Sequence, residues 1–343
     1  MGDSYAAGIG AGRLIHFDQG CFRYDEAYPV VLDGELQPRP SRFNFVACSG
    51  DKFPTILEKQ FRDAPSTRTR PNWGDKPELV TLSMGGNDIG FKELVSTCIY
   101  SIPITLRDCD QIIADSMKRV HSPEFVRDTS GVIITALLKG TARVGQDFKV
   151  YVTGYAQFFN EQTTQCNHVS FRPSWSQFLP KQYLTIERRQ RLNLIARELN
   201  LALKTAVMTA SVGAPNRVFF VDYDAKFNGH RFCDRHEPNP EDPNTWFLTY
   251  GSDEAAIGDF LNSIPRIHSL LSGQSNNTLS ESEFYQLISE AAEGDPTKVI
   301  LGAGAVRIFH PKPVGHQVIA EQLRLAILAT RALSSTGAHR GTA

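Results

Sequence analysis

The chain has 343 residues, with 36 Lys plus Arg against 37 Asp plus Glu and a formal net charge of −1. A balance this even argues against a nucleic-acid-binding surface, which carries a basic excess or a basic patch. With 41% hydrophobic and 21% charged residues the composition is that of an ordinary globular chain, which excludes wholesale disorder and leaves length enough for one large domain or two smaller ones.

The chain opens on Met1-Gly2-Asp3-Ser4-Tyr5-Ala6, where Ala6 breaks the myristoylation pattern that needs Ser or Thr. Phe43–Cys48 (FNFVAC) reads as a buried strand, and a short helix is expected over Lys52–Arg62. Further strands are predicted at Leu79–Met84, Phe148–Thr153 and Arg217–Asp222. Gly131–Gln146 reads as an apolar helix, and its start, GVIITALL, is the most apolar run of the chain. Ile186–Ala210 is a long helix with Leu192, Ile195, Leu199, Ala202 and Leu203 on one stripe. The last helix, Val314–Leu333, turns Val318, Ile319, Leu323, Ala326 and Ile327 inward. Strands alternating with helices predict an α/β fold with a parallel sheet and right-handed crossovers.

The stretch 234–304 interrupts the alternation. It holds a Pro/Asp/Asn-rich loop (HEPNPEDPNTW) and then an isolated helix with a capping box from Ser280 and Glu283. It reads as an insertion, either a lid or pocket wall or a surface excursion without a role. Residues 334–343 read as a flexible polar tail. No stretch reaches the roughly 18 apolar residues of a membrane span, and no secretion signal is visible. Asn276-Asn277-Thr278 is a glycosylation sequon, meaningful only in a secreted eukaryotic chain.

Six cysteines, Cys21, Cys48, Cys98, Cys109, Cys166 and Cys233, are widely spread and form no CxxC pair. An even, dispersed set favours three disulfides and an oxidising compartment, with the pairing left open. The rival is zinc held by Cys166, His168, Cys233 and His236, although these spacings fit no common zinc module.

In open α/β sheets, sites form at the carboxyl ends of strands. Ser4 stands beside Gly2 in Gly2-Asp3-Ser4-Tyr5. Gly85-Gly86-Asn87-Asp88 follows a predicted strand, and there the Asn87 amide can donate to an oxyanion. His310 lies just before the last helix, in His310-Pro311, where it can act as a general base; His316, inside the helix, is its competitor. Asp3 and Asp88 read as caps for local backbone N–H groups. Tyr155 and His230 read as packing or pocket-wall residues.

Taken in order, Ser4 in GDSY, Gly50 in ACSGD, Asn87 in GGND and His310 in HPKPVGH resemble the four blocks of the SGNH (GDSL) hydrolase family, across nearly the whole chain. Gly154-Tyr155 and Phe227-Asn228-Gly229-His230 are similar to its branch of secreted actinobacterial and fungal esterases and lipases with three disulfides. The resemblance implies a three-layer α/β/α, flavodoxin-like SGNH-hydrolase fold, taken as one domain over 1–333. It implies the pairs Cys21–Cys48, Cys98–Cys109 and Cys166–Cys233, secretion, no metal or organic cofactor, and a small-molecule, lipid or carbohydrate ester as substrate. A monomer is the expectation. Ser4 would be the nucleophile and His310 the base, with the backbone N–H groups of Ser4 and Gly50 and the Asn87 amide as oxyanion donors. The alternatives are a polysaccharide deacetylase, a phospholipase, or a binding module with impaired catalysis.

The family usually has Asp three residues before the histidine, and this chain has Arg307 there. Three explanations stay open: the Arg307 backbone carbonyl orients the ring, a carboxylate such as Asp222 or Asp224 substitutes, or the enzyme is impaired. The family fold also begins with a strand that delivers the serine. Only Met1 precedes Gly2, so Met1 is read as the last residue of that strand and the sequence as a fragment.

Overall fold

The strongest β-formers of the chain lie side by side. The computed structural model describes residues 1–16, 21–40, 42–62, 77–101, 107–174, 180–234, 242–251, 254–272, 274, 281–292, 304 and 306–338. A two-stranded antiparallel ribbon, Leu14–His16 (β1) with Arg23–Tyr24 (β2), precedes a parallel sheet of Leu79–Leu82 (β3), Lys149–Thr153 (β4) and Val218–Val221 (β5), in the order β3-β4-β5. The register sets Val80 against Val150 and Val150 against Val218. β4 is buried from Val150 to Thr153 with no alternation, as expected of a central parallel strand covered on both faces.

In chain order the helices are Ser4–Ala7 (α1), Tyr28–Glu35 (α2), Phe53–Thr55 (α3, widening into a π-type turn over Ile56–Gln60), Phe91–Cys98 (α4), Cys109–Val120 (α5), Pro123–Val144 (α6) and Ile186–Ser211 (α7). Glu254–Asn262 (α8), Pro265–Leu271 (α9), Glu281–Ala292 (α10) and Pro313–Ala338 (α11) follow. The alternating strand parity assigns the helices to faces. Gly140 of α6 meets the Phe148 ring, on the parity of Val150 and Val152. Tyr151, on the other parity, bonds Thr330 of α11 at 2.6 Å. The α6–α7 layer therefore covers one face of the sheet and α11, packed on α2, the other.

Several expectations change. Phe43–Cys48 is not a strand: within it only Cys48 N reaches a sheet neighbour, donating to Gly2 O at 3.0 Å. That neighbour is the pair Met1–Gly2, which lies against β3 with Met1 N on Thr81 O at 3.0 Å and Gly2 bridging Ser83 in parallel. Among the described residues no ladder or bridge pairs the rest of this run. The helix expected from Gly131 begins at Pro123, because Ser122 caps the N–H of Phe125 and proline suits the first helical turn. Its Ile134 and Leu138 are exposed, so the apolar run overstates the buried face.

The tail expected from residue 334 is also corrected. The last helix continues to Ala338, since Leu333-Ser334-Ser335 holds no helix breaker; 339–343 lie outside the described residues. Among the described residues the segment 234–304 holds α8, α9 and α10 and not a single isolated helix. Ile257, Phe260, Leu261, Ile264, Ile267 and Ile288 are buried, so it contributes to the core. The sequon 276–278, Ser280 of the capping box and much of the preceding loop lie outside the described residues. Among the described residues no helix is long and apolar enough to cross a membrane.

The cysteines pair as Cys21–Cys48, Cys98–Cys109 and Cys166–Cys233, with separations of 27, 11 and 67 residues. Cys166 and Cys233 are consumed by one bond, which removes the zinc alternative built on them. A residue with no expected role anchors the third disulfide. Arg189 of α7 is fully buried, donating to Leu184 O at 2.9 Å, to the carbonyls of Asn160 and Thr163, and to Asn167 Oδ1 at 3.2 Å. Its charge is met by carbonyl dipoles, and these bonds hold the loop that carries Cys166.

Candidate active site

Gly2 brings the chain against β3 so closely that only glycine fits. Its φ is 130°, and a Cβ would stand 2.1 Å from Ser83 O. Gln60 clamps this glycine, accepting from Gly2 N and donating to Gly2 O, both at 2.8 Å, and also donates to Asp51 Oδ2 at 2.7 Å. Asp3 then caps α1. Its Oδ1 accepts from Tyr5 N and from the Ser83 hydroxyl, each at 3.0 Å, and its Oδ2 from the Tyr155 hydroxyl. Burial pushes the Asp3 carboxyl up to about 6 against these bonds. Tyr155 in turn accepts from Gly86 N at 3.2 Å, which ties the turn before Ser4 to the turn before Asn87.

Ser4 is thereby fixed as the first residue of α1, with Oγ 2.6 Å from His310 Nε2. The two residues are 306 positions apart in the chain. His310 sits in a four-residue turn closed by its own N–H on Arg307 O at 3.1 Å. Its Nδ1 lies 3.1 Å from both Arg307 O and Ile308 O. Carbonyls only accept, so Nδ1 carries the proton and Nε2 turns its lone pair toward the serine hydroxyl. Burial lowers the His310 pKa to about 4, partly offset by these two carbonyls. The imidazole is therefore neutral at pH 7.

Asn87 is buried and its Nδ2 donates to Asp51 O at 2.9 Å. A side-chain amide has two N–H groups, so a second remains for another acceptor. Gly50 stands at φ 83° in a turn closed by Asp51 N on Cys48 O at 3.2 Å, and this geometry alone calls for glycine. The Cys21–Cys48 bond and Ser49 N on Cys21 O at 3.0 Å hold the same turn.

The remaining candidates fall away from this centre. Asp224 accepts from Gln157 N at 2.7 Å and from Arg231 at 2.8 Å, and Asp222 accepts from Asp224 N at 3.0 Å, so both carboxylates are engaged apart from His310. The Arg307 side chain donates to Tyr250 O at 3.2 Å; it is its carbonyl that faces the imidazole. His316 is buried within α11, where Nδ1 accepts from Tyr28 N at 3.3 Å and burial lowers its pKa to about 3. His230 stacks on Trp246 with ring centroids 3.7 Å apart. Asp88 caps a distant N–H, that of Phe53, at 3.1 Å, and burial pushes its carboxyl up to about 7.

Tyr5, Gln60, Leu248 and Phe309 were not singled out by sequence. Gln60 and Leu248 act through contacts that no local pattern announces. Tyr5 adjoins the GDS block, and that adjacency was the available signal. Phe91 and Phe158, both half-buried, complete the surroundings: the Phe91 ring is 5.5 Å from His310 and 5.8 Å from Phe158.

Residues 1–318 match the model of the GDSL-like Lipase/Acylhydrolase family. Lipase 1 of Streptomyces coelicolor is 26% identical over 234 residues, 68% of this chain and 71% of its own. A lipase of Streptomyces rimosus is 37% identical over 98 residues, 29% of this chain and 32% of its own. Among solved structures, the extracellular lipase of Streptomyces rimosus superposes with a TM-score of 0.55 at 19% identity, covering 95% of this chain and 96% of its own. The phospholipase A1 of Streptomyces albidoflavus does so at 0.53 and 21%, covering 95% of each. The two superpositions support the α/β fold. With the family model spanning every block from Ser4 to His310, the chain belongs to the GDSL-like lipase/acylhydrolase family and is an ester hydrolase.

Proposed function

We propose that the protein is a secreted serine carboxylesterase or lipase that works through a Ser4–His310 dyad. The observation that carries this reading is the 2.6 Å contact between Ser4 Oγ and His310 Nε2, with Nδ1 held by two backbone carbonyls. As Ser4 attacks the ester carbonyl, His310 takes the hydroxyl proton and then delivers it to the leaving alcohol. Water, activated by the same imidazole, hydrolyses the acyl-serine. The oxyanion is met by Asn87 and by the N–H groups of Gly50 and Ser4. The Ser4 N–H lies at a helix start and has no intrahelical partner. Loss of one such donor costs on the order of 100- to 1000-fold in rate.

The carbonyl pair stands in for the triad carboxylate. Its task is to fix the tautomer, and a dipole aimed at Nδ1–H does this, although it stabilises the imidazolium less than a full charge would. The half-buried Phe91 ring beside His310, with Phe158 packed against it, favours an apolar acyl or alcohol group. Three disulfides, and a structural neighbour described as an extracellular lipase, support secretion. The test is a panel of nitrophenyl esters of rising acyl length, assayed with the native enzyme and with Ser4→Ala. The native enzyme should turn over the panel and Ser4→Ala should lose at least about 1000-fold. Equal activity in both would defeat the serine mechanism.

A further inference from the structure

The turn that presents His310 is held in a conformation its sequence does not favour. Phe309 occupies the third position of the Arg307–His310 turn with φ 61°, where Gly or Asn is the usual occupant. A bulky side chain in the left-handed region persists only when its surroundings over-determine it. Three contacts do so here. Phe309 N donates to Leu248 O at 2.8 Å. The buried Phe309 ring packs among Tyr100, Phe158, Phe159, Phe171 and Phe232, with centroids 4.7 to 6.0 Å away. Phe309 O accepts from the Tyr5 hydroxyl at 2.9 Å.

The third contact is set apart by where it comes from. Tyr5 is the neighbour of Ser4 on α1, so one hydroxyl links the serine helix to the turn that orients the histidine. The Tyr5 ring also lies 5.0 Å from the His310 ring and 4.9 Å from that of Tyr155. The Phe309 carbonyl and the His310 N–H belong to one peptide unit, the one that closes the turn. Rotating that unit would carry the imidazole away from Arg307 O and Ile308 O together.

We propose that Tyr5 is a positioning residue for His310: its hydroxyl, bonded to Phe309 O, locks the left-handed turn and so keeps two carbonyls on Nδ1 in the absence of a triad carboxylate. The proposal rests on the serine–histidine reading above. It assigns to Tyr5 part of the orienting task that a buried Asp performs elsewhere.

The experiment is Tyr5→Phe, which keeps the ring and deletes the hydroxyl, measured for kcat and KM on a soluble nitrophenyl acetate. Alongside it, nitrogen-15 NMR of histidine-labelled protein reads the tautomer, with the His310 signals assigned by their loss in His310→Ala. The expected result is a folded variant whose kcat falls about tenfold or more, with KM within twofold. The His310 nitrogens should change from a pure Nδ1–H pattern toward a mixture of tautomers. A kcat within twofold of native overturns the proposal, and so does a fall in kcat with the native tautomer pattern intact. An inactive Ser4→Ala beside an unimpaired Tyr5→Phe defeats the positioning role alone. A fully active Ser4→Ala defeats the serine mechanism and the proposal with it.

Discussion

At the scale of single residues, the proposed chemistry turns on which atom of each side chain faces the centre. Arg307 occupies the position of the family's aspartate, yet its guanidinium points to Tyr250 O while its carbonyl meets Nδ1. Every residue has that carbonyl, so Arg307→Ala should retain activity within about threefold, where loss of a triad carboxylate costs on the order of 10⁴. The same environment sets the pH range. Burial lowers His310 to about 4, and the base must be neutral to accept the serine proton. The sign follows: kcat/KM should hold steady as pH falls from 7 and decline on an acid limb centred near 4, well below the ordinary histidine value. A pH profile on a nitrophenyl ester checks this, and an acid limb near 6.5 would mean that His310 is more solvated than the structure has it.

Elements place these residues, and some elements were easier to read than others. The three parallel strands were legible because central parallel strands are continuous β-branched and aromatic runs. α7 was legible because Leu192, Ile195, Leu199 and Leu203 repeat at helical spacing and all are buried. Phe43–Cys48 carried the same local signal and failed, because a strand exists only with a ladder partner and none pairs with it among the described residues. α4 and α5 carry weak patterns because both are short and bounded by the Cys98–Cys109 link, although Asp108 and Gln111 form a capping box at the start of α5.

The disulfides belong to this scale as well. On the loop-entropy view, the Cys166–Cys233 bond, spanning 67 residues, contributes about 4 kcal/mol, against about 3 kcal/mol for Cys98–Cys109, spanning 11. Replacing each pair with alanine should therefore lower the chemical-denaturation midpoint most for Cys166–Cys233. The Arg189 network on the same loop steepens that order, since its carbonyl partners would lose their fixed positions. A larger loss from the Cys98–Cys109 pair would mean that native contacts, and not loop closure, dominate.

Across the whole molecule, a site is built from parts that the chain keeps far apart. Ser4 lies at one end of the sequence, Asn87 beyond β3, and His310 before the last helix, while buried apolar residues from Met1 to Ile327 form one cluster. That continuity supports reading the chain as a single domain. The four family blocks made Ser4, Asn87 and His310 legible as candidates, and the structure sets Ser4 Oγ 2.6 Å from His310 Nε2. The supports were not legible: Gln60, Leu248 and Phe309 work through long-range backbone bonds, and any polar or apolar residue of suitable reach satisfies a local pattern equally well.

The central claim is that Ser4 is the nucleophile, and it is tested most directly by covalent capture. Incubation with a fluorophosphonate, followed by peptide mass spectrometry, should place one phosphonyl group on Ser4, with activity lost in proportion to labelling. His310→Ala should label far more slowly and Ser4→Ala not at all. Stoichiometric inactivation with the adduct on another residue, or labelling of Ser4 that leaves turnover intact, would contradict the claim.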